Sequence, residues 1–286
     1  MINNVKVSFH NPNNTKKPIY FRQSLNGLGI YNNIEFVYND FTADYHILET
    51  WVNNLKDIEG KNIIYLNQEP PEIRLPEKDI LDMCCLAITP FRLEHKIKQF
   101  MAPPVLQWTY GINSEMKAGV GHVYSLSNKD SLGELLTKEP PIKNKLCSMI
   151  VSNKYYTEYH KKRLDFTNIL IDHFKNKIDF FGFGVKEIKD KKDAIDPYLY
   201  SIAIENCNHD NYWTEKISDV FLGFAKPIYF GTPNISEFYN DKSFIKINID
   251  ERDKAISTIE NCLENPAIRY PETILDSRRK ALLDYN

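Results

Sequence analysis

The sequence predicts an α/β protein of two domains, each built on a parallel sheet flanked by helices. Three observations point to this class. Residues 198–247 run strand, polar loop, helix, strand, the order of a βαβ crossover between parallel strands. The first 90 residues repeat short β-branched strands separated by turn residues and helical stretches. The length, 286 residues, suits two domains of about 140 better than one.

Composition narrows the function classes. The chain is 42% hydrophobic and 26% charged with a net charge of −2, so it lacks the basic excess that phosphate-backbone binding needs, and nucleic acid is not an expected partner. Its five cysteines are odd in number and have no CxxC spacing, which fits a reducing compartment rather than a disulfide framework or a zinc site. No apolar run approaches the roughly 18 residues that span a bilayer. The polar start at residues 1–4 is not that of a signal peptide. The expectation is a cytoplasmic protein with no transmembrane segment. Peripheral membrane association is compatible with this composition, which says nothing of oligomeric state.

In the first domain, taken as residues 1–140, strands are expected over residues 5–9, 34–38, 43–48, 62–66, 86–89 and 105–110. The turn cluster at 10–14 ends the first strand, and residues 20–28 are expected to start a helix. Residues 111–130 are rich in turn formers with little periodicity, and 131–137 read as a short helix. The strand over 62–66 delivers Glu69 to a loop, where Pro70 keeps it out of any helix. Taken alone, Glu69 and its neighbour Glu72 are surface loop residues.

The Pro140-Pro141 pair inside a lysine-rich stretch marks the expected domain boundary, with a second domain over 141–270. Its first strand is 146–151. The helix that follows, 155–174, carries Lys161, Lys162 and Arg163, and then Phe166, Ile169, Leu170 and Phe174 on its apolar side. Residues 178–185 read as a strand entering a glycine turn that is not GxGxxG, so a dinucleotide site is not indicated. Further on, 255–263 is a helix, and Pro271 opens a last helix within 271–286, expected to cross back to the first domain.

Residues 198–204 mix β-branched and aromatic side chains and run directly into Glu205 and Asn206, a pair that is costly in a core unless partnered. Thr214 is a fitting N-cap for the helix that follows, placing Glu215 and Lys216 in its first turn, with Ile217, Val220, Phe221 and Phe224 as its apolar stripe. Ligands of parallel sheets bind at the carboxyl ends of the strands, near helix N-termini. Glu205, Asn206, Tyr212, Glu215 and Lys216 would gather there. Glu215 would repel a bare phosphate. A nucleotide sugar fits both charges, with Lys216 on the diphosphate and Glu215 accepting from sugar hydroxyls. Alone, a Glu-Lys pair at a helix start serves only the dipole and the solvent.

The string IAIENCNHDNYWTEKISDVFLGFAKPIYFGTP resembles the donor-binding signature of the family 10 glycosyltransferases, the α-1,3/4-fucosyltransferases, from Glu-Asn through Tyr-x-Thr-Glu-Lys to Pro-Ile-Tyr-x-Gly. Trp213 departs from it, since the family has a smaller β-branched residue there, and is expected to reshape the nucleotide pocket. The resemblance implies two Rossmann-like domains facing across a cleft, the GT-B arrangement, and an enzyme that transfers fucose from GDP-fucose to a glycan hydroxyl with inversion. It implies that Glu69, with Glu72 as rival, is the general base. It also implies that Arg163, with Lys162 or Lys161 as rivals, reaches the donor diphosphate together with Lys216, and that Glu205, Asn206, Tyr212 and Glu215 position the donor. A bare catalytic chain of this kind is what a bacterial or viral member would look like. The sequence has no Asp-x-Asp site, so no bound metal is expected, although a soluble divalent ion assisting the diphosphate is compatible with it. A different nucleotide-sugar donor, or a silent carbohydrate-binding protein on the same fold, are the alternatives.

Overall fold

The computed structural model describes residues 4–10, 19–50, 56–58, 60–117, 121–182, 184–266 and 272–285. The expected turn at 11–14, the first three residues and Pro271 lie outside them. The chain divides into two compact units, residues 1–107 with 112–137, and residues 108–111 with 138–285. The boundary expected from sequence was 140/141.

Among the described residues the first unit holds a seven-stranded sheet. Its strands are β1 (Val5–His10), β2 (Ile30–Tyr31), β3 (Ile34–Tyr38), β4 (Tyr45–Glu49), β5 (Ile63–Leu66), β6 (Leu86–Thr89) and β7 (Gln99–Met101). They lie in the order β2-β3-β1-β4-β5-β6-β7, parallel throughout except for the antiparallel β2–β3 pair. Leu48, Ile63, Tyr65 and Ala87 from the strands bury against Leu81 of α1 (Lys78–Met83) and against Leu93. An antiparallel pair, β8 (Ile112–Lys117) and β9 (Gly121–Lys129), and the short α2 (Leu132–Thr137) complete the unit. Ser131 and Glu134 form a reciprocal capping box at the start of α2, each side chain accepting the other's backbone N–H.

Three expectations for this part change. The helix expected over 20–28 is only a 3₁₀ turn, Ile19–Gln23, because Gly27 and Gly29 then take φ of 71° and 77°, which no helix continues through. The strand expected over 105–110 does not form, because the backbone N–H groups of Thr109 and Tyr110 are donated to the Asp219 carboxylate instead of to a neighbouring strand. The turn-rich reading of 111–130 gives way to the β8–β9 ribbon, whose pairing rests on backbone bonds that leave little periodicity in the sequence.

Among the described residues the second unit holds a five-stranded parallel sheet. Its elements are β10 (Lys145–Ile150), α3 (Glu158–Phe174), β11 (Ile178–Phe181), α4 (Lys192–Ile195), β12 (Tyr198–Ile204), α5 (Glu215–Leu222), β13 (Lys226–Phe230), β14 (Ile245–Lys246), α6 (Arg252–Glu264) and α7 (Glu272–Leu283). The order β11-β10-β12-β13-β14 reverses between β10 and β12, which makes their carboxyl ends the topological switch point where ligands of such sheets bind. The expected βαβ unit is present as β12–α5–β13 in parallel register, Ile202 opposite Ile228. β12 is apolar and buried along nearly its whole length because helices cover both faces of the sheet. On one side Phe166, Leu170 and Phe174 of α3 and Ala255 and Ile259 of α6 meet Ile202, Ile204 and Ile228. The last helix, expected to cross back to the first domain, packs on α5 within this unit. There Arg278 donates to the Leu222 carbonyl at 3.2 Å and lies 4.2 Å over the Phe224 ring.

Candidate functional site

The loop and first turn between β12 and α5 hold a cluster of paired charges. Glu205 extends the β12 ladder by donating its N–H to the Phe230 carbonyl, and its side chain is fully buried. A carboxylate there must be partnered, and it is. Thr214 N–H donates to Oε1 at 2.8 Å, the Thr214 hydroxyl is 2.8 Å from Oε2, and Lys216 Nζ donates to Oε2 at 3.0 Å. Thr214 is also the N-cap of α5, so one buried carboxylate fixes the start of the helix and the direction of Lys216. Gly231 permits this: a Cβ there would lie 2.5 Å from Glu205 Cγ and 2.3 Å from the Tyr229 hydroxyl.

Glu215 lies 3.7 Å from Lys191 and 4.0 Å from Lys216. Burial pushes its carboxyl up, but Lys216 and Lys191 outweigh burial and hold it at about 2. Burial pulls Lys216 down, and Glu205 and Glu215 more than restore it, so the ammonium is held above the usual lysine range. Lys191 is further tied to Asp219 at 2.7 Å, and the buried Asp219 in turn receives the backbone of residues 109–110. Both charges of the Glu215–Lys216 pair are therefore fixed at neutral pH.

Of Lys161, Lys162 and Arg163 on α3, Arg163 is the one turned inward. It is 5% exposed, its Nη2 donates to Ser152 Oγ at 3.1 Å, and its Nε is buried with no hydrogen-bond partner among the described residues. Burial lowers its pKa and the charges of Glu205 and Glu215 oppose that. Lys161 is exposed, and Lys162 bridges Glu158 at 3.1 Å and Asp250 at 3.0 Å. The long spacer after Ser152-Asn153 is a loop that ends at the N-cap Thr157, which places Arg163 in the second turn of α3. Ser152 follows β10 and Glu205 follows β12, so Arg163 and Glu205 meet at the switch point. Asn206 adds a buried Oδ1 without a partner among the described residues, and Tyr212 is buried at 1% exposure. Among the described residues, Arg163 Nε and Asn206 Oδ1 are thus buried polar atoms on residues of this site that no protein group satisfies.

Trp213, expected to reshape the nucleotide pocket, packs instead into an aromatic cluster with Phe238, Tyr239 and Tyr285 at 5.7, 5.3 and 5.2 Å between ring centroids. Sequence reasoning missed Lys191, Asp219 and His160. His160 had a readable signal, since it precedes Arg163 by three residues and so shares its helix face. Lys191 and Asp219 had none.

Glu69 belongs to the first unit, in the loop after β5, and is half-buried. Its neighbour Gln68 pins that loop. Gln68 N–H donates to Thr50 Oγ1 at 2.8 Å, and its side-chain amide donates to the Tyr20 hydroxyl at 3.0 Å and to the Val105 carbonyl at 2.7 Å. The Tyr20 hydroxyl donates to Glu49. Among the described residues, no group of three or more His, Cys, Asp or Glu side chains is placed to hold a metal ion, and no helix is long and apolar enough to cross a membrane.

Two Rossmann-like units in one chain, one with a cationic cluster at its switch point, define the GT-B class of glycosyltransferase folds. The match to known families agrees: residues 140–270 match the model of glycosyltransferase family 10 (fucosyltransferase) C-term, the family whose signature this stretch resembles. An α-(1,3)-fucosyltransferase of Helicobacter pylori is 32% identical over 98 residues, which cover 32% of this chain and 20% of that relative. The match thus spans about a fifth of that relative's length. A crystal structure of an α1,3-fucosyltransferase with GDP-fucose superposes with a TM-score of 0.57 at 16% identity, covering 98% of this chain and 90% of the other. The DNA-modifying enzyme β-glucosyltransferase superposes at 0.52 with 13% identity, covering 98% and 97%. At these identities the superpositions speak to fold.

Proposed function

We propose that the protein is an inverting glycosyltransferase that moves L-fucose from GDP-fucose to a hydroxyl of a glycan acceptor. The observation that carries this reading is the cation pair Arg163 and Lys216, held beside Glu205 and Glu215 at the switch point of a family 10 unit. The acceptor oxygen forms a bond to the anomeric carbon while the bond from that carbon to the diphosphate oxygen breaks, its electron pair leaving with the GDP. Glu69 takes the acceptor proton. Arg163 and Lys216 offset the charge that grows on the departing diphosphate. Glu205 acts through Lys216 and Thr214, which it positions, whereas Glu215, Asn206 and Tyr212 orient ribose, sugar or phosphate. The odd number of cysteines, with no CxxC spacing, supports a cytoplasmic setting.

Thermal-shift measurements against GDP, UDP and their sugar conjugates test the donor, because a ligand held at 100 times its Kd stabilises the native state by about 2.7 kcal/mol. GDP and GDP-fucose are expected to raise Tm and the uridine compounds to leave it unchanged. A shift with UDP alone changes the donor, and no shift with any of them removes the nucleotide-sugar reading. Proton NMR of the product's new anomeric centre decides inversion.

A further inference from the structure

The cationic face of the second unit contains one group for which the transfer chemistry above gives no task. His160 is 3% exposed and sits three residues before Arg163 on the inward face of α3. Its ring is fixed at one end only. Thr157 Oγ1 accepts the His160 backbone N–H at 3.3 Å, which leaves the hydroxyl proton for His160 Nδ1, 2.7 Å away. Among the described residues Nε2 makes no hydrogen bond. Among the described residues, the charges that act on the ring are cations, Arg163 from its own helix, Lys154 from the β10–α3 loop and Lys216 from α5. Glu205 and Glu215 act on Arg163 and Lys216, and the Tyr156 ring meets the imidazole edge-on at 6.1 Å. A buried imidazole among three cations, next to the unspent Arg163 Nε, is a surrounding that an anion completes.

Resting on the donor reading above, we propose that His160 is a further donor-binding residue, whose Nε2 binds a diphosphate oxygen of the nucleotide sugar and which takes up one proton from solvent as the donor arrives. In the free protein, burial first and then the three cations hold the imidazole down at about 4, so it is neutral at neutral pH. The diphosphate reverses that field, because an anion in hydrogen-bond contact favours the imidazolium. The donor's arrival thus raises the pKa of this group. Binding then tightens as pH falls through the bound-state value.

Isothermal titration calorimetry with GDP-fucose tests this, in pairs of buffers that differ in ionisation enthalpy. A sugar diphosphate is the right probe, since it has no ionisation of its own in this range, whereas the terminal phosphate of GDP does. If the bound imidazole returns to about its ordinary value of 6.5, wild-type protein binds about 10-fold tighter at pH 5.5 than at pH 7.5 and takes up close to one proton at pH 5.5. His160→Gln keeps a neutral donor and is expected to bind within a few-fold of wild type at pH 7.5, with no proton uptake and a flat pH profile. Binding by wild-type protein without proton uptake would overturn the proposal, and so would proton uptake that persists in His160→Gln. No binding of GDP-fucose at any pH would remove the donor reading itself, which separates the two failures.

Discussion

Both units end their parallel strands in buried polar clusters at a point where the strand order reverses, yet the two clusters differ in kind. In the second unit the groups are charged and interlocked: Arg163, Glu205, Glu215, Lys216, Lys191 and Asp219. In the first unit the order reverses between β1 and β4, and the groups there and on the adjoining strand end are largely neutral. His10 Nε2 lies 2.8 Å from His46 Nδ1, and burial, followed by His46 and Lys61, lowers His10 to about 4, so the pair is uncharged at neutral pH. Gln68, Tyr20, Thr50 and Glu49 form the neighbouring network. A charged, prearranged site answers a charged ligand, because its ions keep their desolvation offset only while each has a partner. A network of hydroxyl, amide and imidazole groups around the Glu49 carboxylate suits a sugar, which offers hydroxyls and no charge. The contrast supports a donor diphosphate in the second unit and an acceptor in the first.

The sharpest way to break this division of labour is at Glu69. Glu69→Gln is expected to lower transfer from GDP-fucose by about 100-fold or more while donor affinity stays at the wild-type value, since the amide keeps the shape and loses the basicity. Glu72→Gln is the paired control. Undiminished turnover in Glu69→Gln with loss in Glu72→Gln would move the base to Glu72, and undiminished turnover in both would take this loop out of the mechanism.

Next in size are the cations. Arg163→Ala and Lys216→Ala are each expected to weaken GDP binding by about 10- to 100-fold in calorimetry, the scale of a hydrogen bond to a charged group. Lys161→Ala, Lys162→Ala and Glu69→Ala are expected to leave it within about twofold. Equal losses across all five variants would mean that the charged cluster is not the diphosphate site.

Gly231→Ala asks whether the buried Glu205 needs its close approach. With a Cβ brought to 2.5 Å from Glu205 Cγ, urea unfolding should show a loss of about 1–3 kcal/mol, the range for overpacking. Wild-type stability would mean that the strand end shifts freely and that Glu205 is not the fixed point of the site.

Acid probes the same interlocked charges. The Glu215 carboxyl, held at about 2 against an ordinary 4.5, has a depressed folded-state value. Its contribution to stability is therefore present above about 4.5 and is lost as pH falls towards 2. Glu215→Gln should lose stability at pH 6 and show a shallower decline across that acid window than wild type in urea titrations. Parallel declines would place Glu215 outside the interlocked cluster.

Much of the second unit was legible before any coordinates. β12 and α5 fall where the apolar pattern put them, and Thr214 caps the helix as its position implied, because an N-cap and an amphipathic stripe are local properties. The first unit was less legible for the same reason. Residues 105–110 have the composition of a strand, but they do not pair, because Asp219, 110 residues away, offers their backbone a better partner. The β8–β9 ribbon left almost no periodic trace.

The sequence by itself determined the fold class, the residues 198–247 core and the inventory of charges at its edge. Spacing along a helix or strand is enough to say which residue types share a face. Only the tertiary structure decided which of those charges are spent on one another. It turned Arg163 inward and left Lys162 bridging Glu158 and Asp250. It committed Glu205 to Thr214 and Lys216, and it enclosed His160 among cations drawn from a loop and two helices. Burial and partner choice depend on groups far apart in the chain, and in a buried site they set the charge state, and with it the chemistry, of every residue.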